Sequence, residues 1–351
     1  MRLSTSLAFS TIFSQLVAGN AAVNWKSRNF KSLVTFGDSY TDESRLNYFI
    51  THNGSAPPAG WVDPANNNTA SGGYTWARYV ADYTKVNLYD YAVSGAVCSN
   101  KITPRWFSSI NGDFPSVVEY EVPAYTADSK AYTSNGRPFL DIPPSETVYS
   151  IWIGTNDLGV DAFLTDSQVT GKTIPDYVEC VFSALDSIYD NGARYFVVQN
   201  AAPLHLAPLY ATPENGGVYA IQYPNTTTNG TETSYRMWET VTTVNDVYKY
   251  KTPYEVLIQK RYPGAHFAVM DIYSILEDIY YHPDAYLASP ANVTGYIDQC
   301  DPTGLNCTRL PNQDSFMWFN SLHPSTKTDS IIAKRFIEVL KGQSMYATYW
   351  S

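Results

Sequence analysis

Acyl transfer needs a nucleophile, a base to take its proton, and donors aimed at the developing oxyanion. Four residues stand in settings that suit those parts. Ser39 ends an apolar run in Phe36-Gly37-Asp38-Ser39-Tyr40-Thr41-Asp42, at the tip of an expected strand where a serine is well placed to attack. His323 lies in Trp318-Phe319-Asn320-Ser321-Leu322-His323-Pro324-Ser325, just before a terminal amphipathic helix, and is the candidate general base and later general acid. Gly95, in Tyr91-Ala92-Val93-Ser94-Gly95-Ala96, lets backbone N–H approach a tetrahedral oxygen with no side chain in the way. Asn156, in Ile153-Gly154-Thr155-Asn156-Asp157, adds a side-chain amide donor. Taken singly, each has a plain structural role: a loop serine or helix cap, a turn glycine, an Asx turn.

In this order the four blocks resemble the GDSL, or SGNH, hydrolase superfamily. Its signature is a serine after the first strand, a glycine after the second, an asparagine after the third and a histidine before the last helix. Ser39, Gly95, Asn156 and His323 match those places across nearly the whole chain, whereas the G-x-S-x-G elbow of the α/β-hydrolases is absent. The resemblance implies a serine esterase with no cofactor, and adds the Ser39 N–H as a third oxyanion donor. His282-Pro283 repeats the His-Pro dipeptide but follows Tyr280-Tyr281 and reads as a surface turn.

One position departs from the pattern. The superfamily carries aspartate three residues before the histidine, and this chain has Asn320. An asparagine carbonyl can accept the Nδ1–H bond and fix the imidazole tautomer, but brings no charge to stabilise the imidazolium. Three readings follow: a slower hydrolase with a Ser-His-Asn arrangement, an acid recruited elsewhere (Asp298, Asp301 or Asp314), or an inactive homologue used for binding. Within the superfamily the chain is most similar to the fungal acetylesterases of carbohydrate esterase family 16. That resemblance implies removal of acetyl groups from hemicellulose fragments, chiefly xylo-oligosaccharides. Tyr40 and Trp318, close to the blocks, are candidates for the substrate wall. The rivals are a secreted GDSL lipase or phospholipase and a carbohydrate-binding homologue.

The elements that must position these residues read as strands alternating with helices. Short apolar runs at 32–37, 86–92, 147–154, 194–199 and 266–271 suit buried parallel strands. Helices are expected at 74–83, 116–125, 175–191, 240–262 and 325–342, with Pro175 opening one, Pro263-Gly264 stopping another and Gly342 ending the last. The pattern predicts a three-layer α/β/α sandwich around a mainly five-stranded parallel sheet, flavodoxin-like, with ligands outside the carboxyl ends of the strands. Segments 51–73, 105–114 and 212–234 are expected to be surface loops, and residues 22–351 a single domain.

Residues 1–21 read as an export signal: Arg2, an apolar run from Leu7 to Val17, then small residues. Six N-x-[ST] sequons, at Asn53, Asn67, Asn225, Asn229, Asn292 and Asn306, fit an extracellular, glycosylated protein. Cys300 and Cys307 flank the turn-forming Asp301-Pro302-Thr303-Gly304 and are assigned to each other. Cys98 and Cys180 then pair by elimination, or stay as free buried thiols. Neither C-x-x-C nor H-E-x-x-H occurs, so no zinc or other metal is expected. Of 351 residues only 16% are charged, the net charge is −10 and aromatics make up 15%. With no basic cluster, a nucleic acid or anionic membrane is excluded as a partner, and a monomer acting on a neutral acetylated oligosaccharide or small acetyl ester is expected.

Overall fold

The computed structural model describes residues 21–26, 28–223, 229–300 and 306–351. The expected export signal up to residue 20, the Asn225 sequon and Asp301 lie outside the described residues. Six strands form one sheet: β1 (Ser32–Gly37), β2 (Asn87–Asp90), β3 (Thr147–Trp152), β4 (Tyr195–Gln199), β5 (His266–Met270) and β6 (Ala347–Trp350). Their spatial order is β6-β5-β4-β3-β1-β2. The first five are parallel, in register through pairs such as Val34 with Tyr89, Thr35 with Ser150, Ser150 with Val197, and Phe196 with Phe267. Parallel strands covered on both faces carry continuous apolar runs, and every residue of β1, β3 and β4 is buried.

A sixth strand is added to the five expected parallel ones. β6 pairs antiparallel with β5, Ala347 opposite Met270 and Trp350 opposite Phe267. A short return strand after the last helix can close an edge without needing a crossover, and such antiparallel edges are common on parallel sheets.

Helices pack on both faces. They are α1 (Arg45–Thr51), α2 (Trp76–Thr84), α3 (Val122–Ser129), α4 (Ile174–Asp190), α5 (Gly230–Pro253), α6 (Ile272–Tyr281) and α7 (Thr326–Leu340). Successive side chains of a strand point to opposite faces. On β3, Trp152 meets Trp76 of α2, which in turn packs on Phe336 of α7; Tyr149 meets Tyr125 of α3 on the other side. The three-layer sandwich follows from that alternation.

Helix α5 starts ten residues before the expected 240, inside the segment read as a loop. The physical cause is a cap: the Asn229 side chain accepts the Glu232 N–H, and Glu232 sits in the positive first turn. Cys98 is bonded to Cys180, tying the loop after β2 to α4, and Cys300 to Cys307 across a small hairpin, Asp298–Cys300 with Cys307–Arg309. Of the sequons, Asn53, Asn67, Asn229 and Asn306 are exposed. Asn292 is half-buried, with its Oδ1 accepting from the Thr294 and Gly295 N–H groups.

Candidate active site

Three loops at the carboxyl ends of β1, β2 and β3 meet the turn before α7. The order β2-β1-β3 places β1 between the other two, so the chain reverses direction in the sheet there, the site at which ligands bind in open parallel sheets. Ser39 lies one residue beyond Asp38, whose C=O accepts from the Thr41 and Asp42 N–H groups in a tight turn. Gly37 enters that turn at φ +152, where a Cβ would lie 2.2 Å from the Trp152 carbonyl oxygen, so any larger residue collides with β3. The Gly37 N–H donates to the buried Glu121 carboxylate at 2.9 Å.

The proton path is continuous. Ser39 Oγ–H donates to His323 Nε2 at 2.7 Å, and His323 Nδ1–H donates to Asn320 Oδ1 at 2.9 Å. The orientation of the Asn320 amide is set by its neighbours. Its Oδ1 also accepts from the backbone N–H groups of Leu322, at 3.0 Å, and His323, at 2.9 Å, while Nδ2 turns toward the Ala70 carbonyl. Reversing the amide would point its NH₂ at two N–H donors, so the carbonyl is held toward the imidazole and the Nδ1–H tautomer is the one supported. Burial pushes the His323 pKa down to about 4, leaving the imidazole neutral and able to accept a proton over most of the pH range.

The candidate oxyanion donors lie on the loops that follow β1, β2 and β3. Neither the Ser39 nor the Gly95 N–H has an acceptor among the described residues. Gly95 sits at φ +86, and a Cβ there would come within 2.4 Å of the Phe114 ring, so the position requires glycine on both counts. Asn156 Nδ2 donates one hydrogen to Ala96 O at 2.8 Å, leaving its second N–H unspent beside the Gly95 loop.

Sequence reasoning missed the residues that hold these loops. Arg105 donates to the Gly95 carbonyl at 2.7 Å and lies over the Phe114 ring at 4.9 Å. Asp42 Oδ2 accepts the Ser94 N–H at 2.7 Å, and Asp157 accepts from the Cys98 N–H and the Thr103 hydroxyl. Burial raises Asp38 to about 6 and Asp157 to about 7. Asp42, Asp63 and Asp90 bring carboxylate oxygens within 4.8 Å of one another, with the Arg45 Nε 3.6 Å from Asp63. The signal for Arg105 was its place in Arg105-Trp106-Phe107, a loop otherwise read only as surface.

The substrate-wall expectation is corrected. Tyr40 is 1% exposed, with its hydroxyl donating to Leu322 O and its ring edge-on to His323, and Trp318 is fully buried, donating to Val293 O. Both lie next to chemistry-bearing residues but face inward and support the histidine turn. Phe114 and Arg105 flank Gly95 instead. His282 is remote and paired with Asp278 through Nδ1. Asp298 pairs with Arg309, and Asp314 is exposed; neither reaches His323, whose Nδ1 partner is Asn320.

A family model described as GDSL-like Lipase/Acylhydrolase matches residues 33–336, the span from β1 into α7. An acetylesterase from Hypocrea jecorina is 42% identical over 325 residues, covering 92% of each chain. An acetylesterase from Thermothelomyces thermophilus is 28% identical over 59% of this chain and 67% of its own. Among solved structures, an acetylxylan esterase from Geobacillus stearothermophilus aligns at 11% identity with a TM-score of 0.43, over 90% of this chain and 96% of that one.

Proposed function

From the premise that this chain belongs to the GDSL-like lipase/acylhydrolase family and is a carboxylic-ester hydrolase, we propose that it is a secreted serine acetylesterase acting on acetylated carbohydrates such as xylo-oligosaccharides. The observation that carries the reading is the relay from Ser39 Oγ through His323 to Asn320 Oδ1, at 2.7 and 2.9 Å.

Ser39 Oγ attacks the acetyl carbonyl carbon while its proton passes to His323 Nε2. The charge that develops on the carbonyl oxygen is met by the Ser39 and Gly95 N–H groups and the Asn156 amide. As the tetrahedral intermediate collapses, His323 returns the proton to the departing sugar oxygen, and the acetyl group remains on Ser39. His323 then deprotonates water, which attacks the acetyl-enzyme; as that second tetrahedral intermediate collapses, His323 returns the proton to Ser39 Oγ, and acetic acid leaves with the serine and the neutral histidine restored. Throughout, the Asn320 carbonyl holds the imidazole in its Nδ1–H form.

Small acyl groups suit this site because Ser39 is only 8% exposed. The similar H. jecorina protein is named an acetylesterase, which supports the same preference. Secretion is supported by the apolar leader-like run, six sequons and two disulfides.

The test is a panel of 4-nitrophenyl esters of rising acyl length with acetylated xylo-oligosaccharides, run on the parent and on Ser39→Ala. Acetyl esters should be turned over best, and Ser39→Ala should lose on the order of 10⁴-fold or more of kcat. Preference for long chains would make the protein a lipase. No turnover of any ester would leave the binding homologue.

A further inference from the structure

We propose that a cleft between α5 and the β5–β6 edge of the sheet is a second, non-catalytic binding site for a neutral oligosaccharide chain. The cleft has a volume of about 810 Å³ and lies at the opposite edge of the sheet from β1 and β2; none of Ser39, Gly95, Asn156, Asn320 and His323 lines it. Its floor is the α5-facing side of the edge strands, Val269 beside its register partner Thr348, and Trp350 opposite Phe267. Trp238 and Tyr250 of α5 stand along its wall, 49% and 66% exposed. They are twelve residues apart, hence about 18 Å along the helix axis and about 120° around it, so they mark two separate points along an elongated wall.

Polar groups alternate with these rings. The Thr242 hydroxyl, the Tyr273 phenol and the Glu277 carboxyl line the cleft with the Trp238 indole, while Asp246 and Lys249 line the α5 side. Aromatic faces beside hydrogen-bonding side chains match a sugar, whose ring presents C–H groups on one face and hydroxyls at its edge. A lipid would need a continuous apolar lining, which these polar side chains interrupt. An anionic ligand would meet Asp246, Asp271 and Glu277 against one lysine, on a chain of net charge −10.

The sugar class of the ligand rests on the acetylesterase reading above. A groove that grips a deacetylated stretch would hold a longer chain near the enzyme while the active site works on its acetyl groups, raising the effective concentration of ester.

The experiment is calorimetric titration of xylohexaose, which carries no ester, into Ser39→Ala protein. Saturable binding is expected, weakened about tenfold or more when Trp238→Ala or Tyr250→Ala is added. Both rings are exposed, so folding should survive, and Trp238→Ala with Ser39 intact should turn over 4-nitrophenyl acetate like the parent. The proposal is overturned by absence of saturable xylohexaose binding, or by equal binding in the groove variants. It is overturned too if their loss of binding comes with a change of oligomeric state, which would make the face a protein interface. Groove-dependent binding in a protein that turns over no acetyl ester would support the cleft and sink the esterase reading alone.

Discussion

At residue scale, Asn320 is the decisive position. An acid-to-amide change at the histidine partner is damaging where the amide presents its NH₂ to the ring and selects the wrong tautomer. Here two backbone N–H groups occupy the carbonyl and prevent that reversal. What the amide does not supply is negative charge. Asn320→Asp should therefore raise the His323 pKa above its value of about 4 and stabilise the imidazolium formed as Ser39 attacks. A base works only when deprotonated: the parent should keep kcat/KM as pH falls to near 4 and lose it below. The Asp variant should gain at neutral to alkaline pH and lose activity earlier on the acid side. Asn320→Ala should lower kcat, because the Nδ1–H then lacks an acceptor. Profiles of kcat/KM against pH for the three proteins test this, and an Ala variant as active as the parent removes Asn320 from the mechanism. Asn156→Ala should cost on the order of 10² to 10³ in kcat with little change in KM. A raised KM at normal kcat would make Asn156 a substrate contact.

At the scale of elements, the site depends on how loops are held. The Gly95 loop is gripped by Arg105 at its carbonyl, by Asp42 at the preceding N–H, and by Asn156 at the next carbonyl. Arg105→Ala leaves the Gly95 carbonyl unpaired and frees the Phe114 ring, so kcat should fall about tenfold with KM nearly unchanged. Steady-state kinetics against acetyl esters check it; a KM effect alone would reassign Arg105 to substrate binding. The parallel strands were legible because both-sided burial writes an unbroken apolar run into the sequence. The start of α5 was not, since Gly230 to Ser234 carry no apolar periodicity and only the Asn229 cap marks the boundary. β6 was missed because four residues, only one of them fully buried, give too short an alternation to register.

At the scale of the whole molecule, buried carboxyls set the pH dependence of stability. Burial raises Asp38 to about 6 and Asp157 to about 7, and lifts Asp42, Asp63, Asp90, Glu121 and Asp329 as well. Between the ordinary carboxylate value and these raised values the folded state binds more protons than the unfolded one, so stability falls as pH rises through that window. His205 and His323, lowered to about 4 by burial, act oppositely between about 4 and 6.5, but are fewer. Tm should thus be higher near pH 5 than near pH 8, as scanning calorimetry would read; a Tm rising steadily to pH 8 would mean those carboxyls are already ionised in the fold. The sequence by itself determined the sheet's parallel core, the order of the serine, glycine, asparagine and histidine blocks, and the asparagine three residues before the histidine, because each is written in residue type and local periodicity. Only the tertiary structure decided that the Asn320 carbonyl faces His323, that Tyr40 and Trp318 are buried, and that Arg105 grips Gly95. Those are outcomes of which groups from distant segments compete for the same hydrogen-bonding and packing space, and no local pattern encodes that competition.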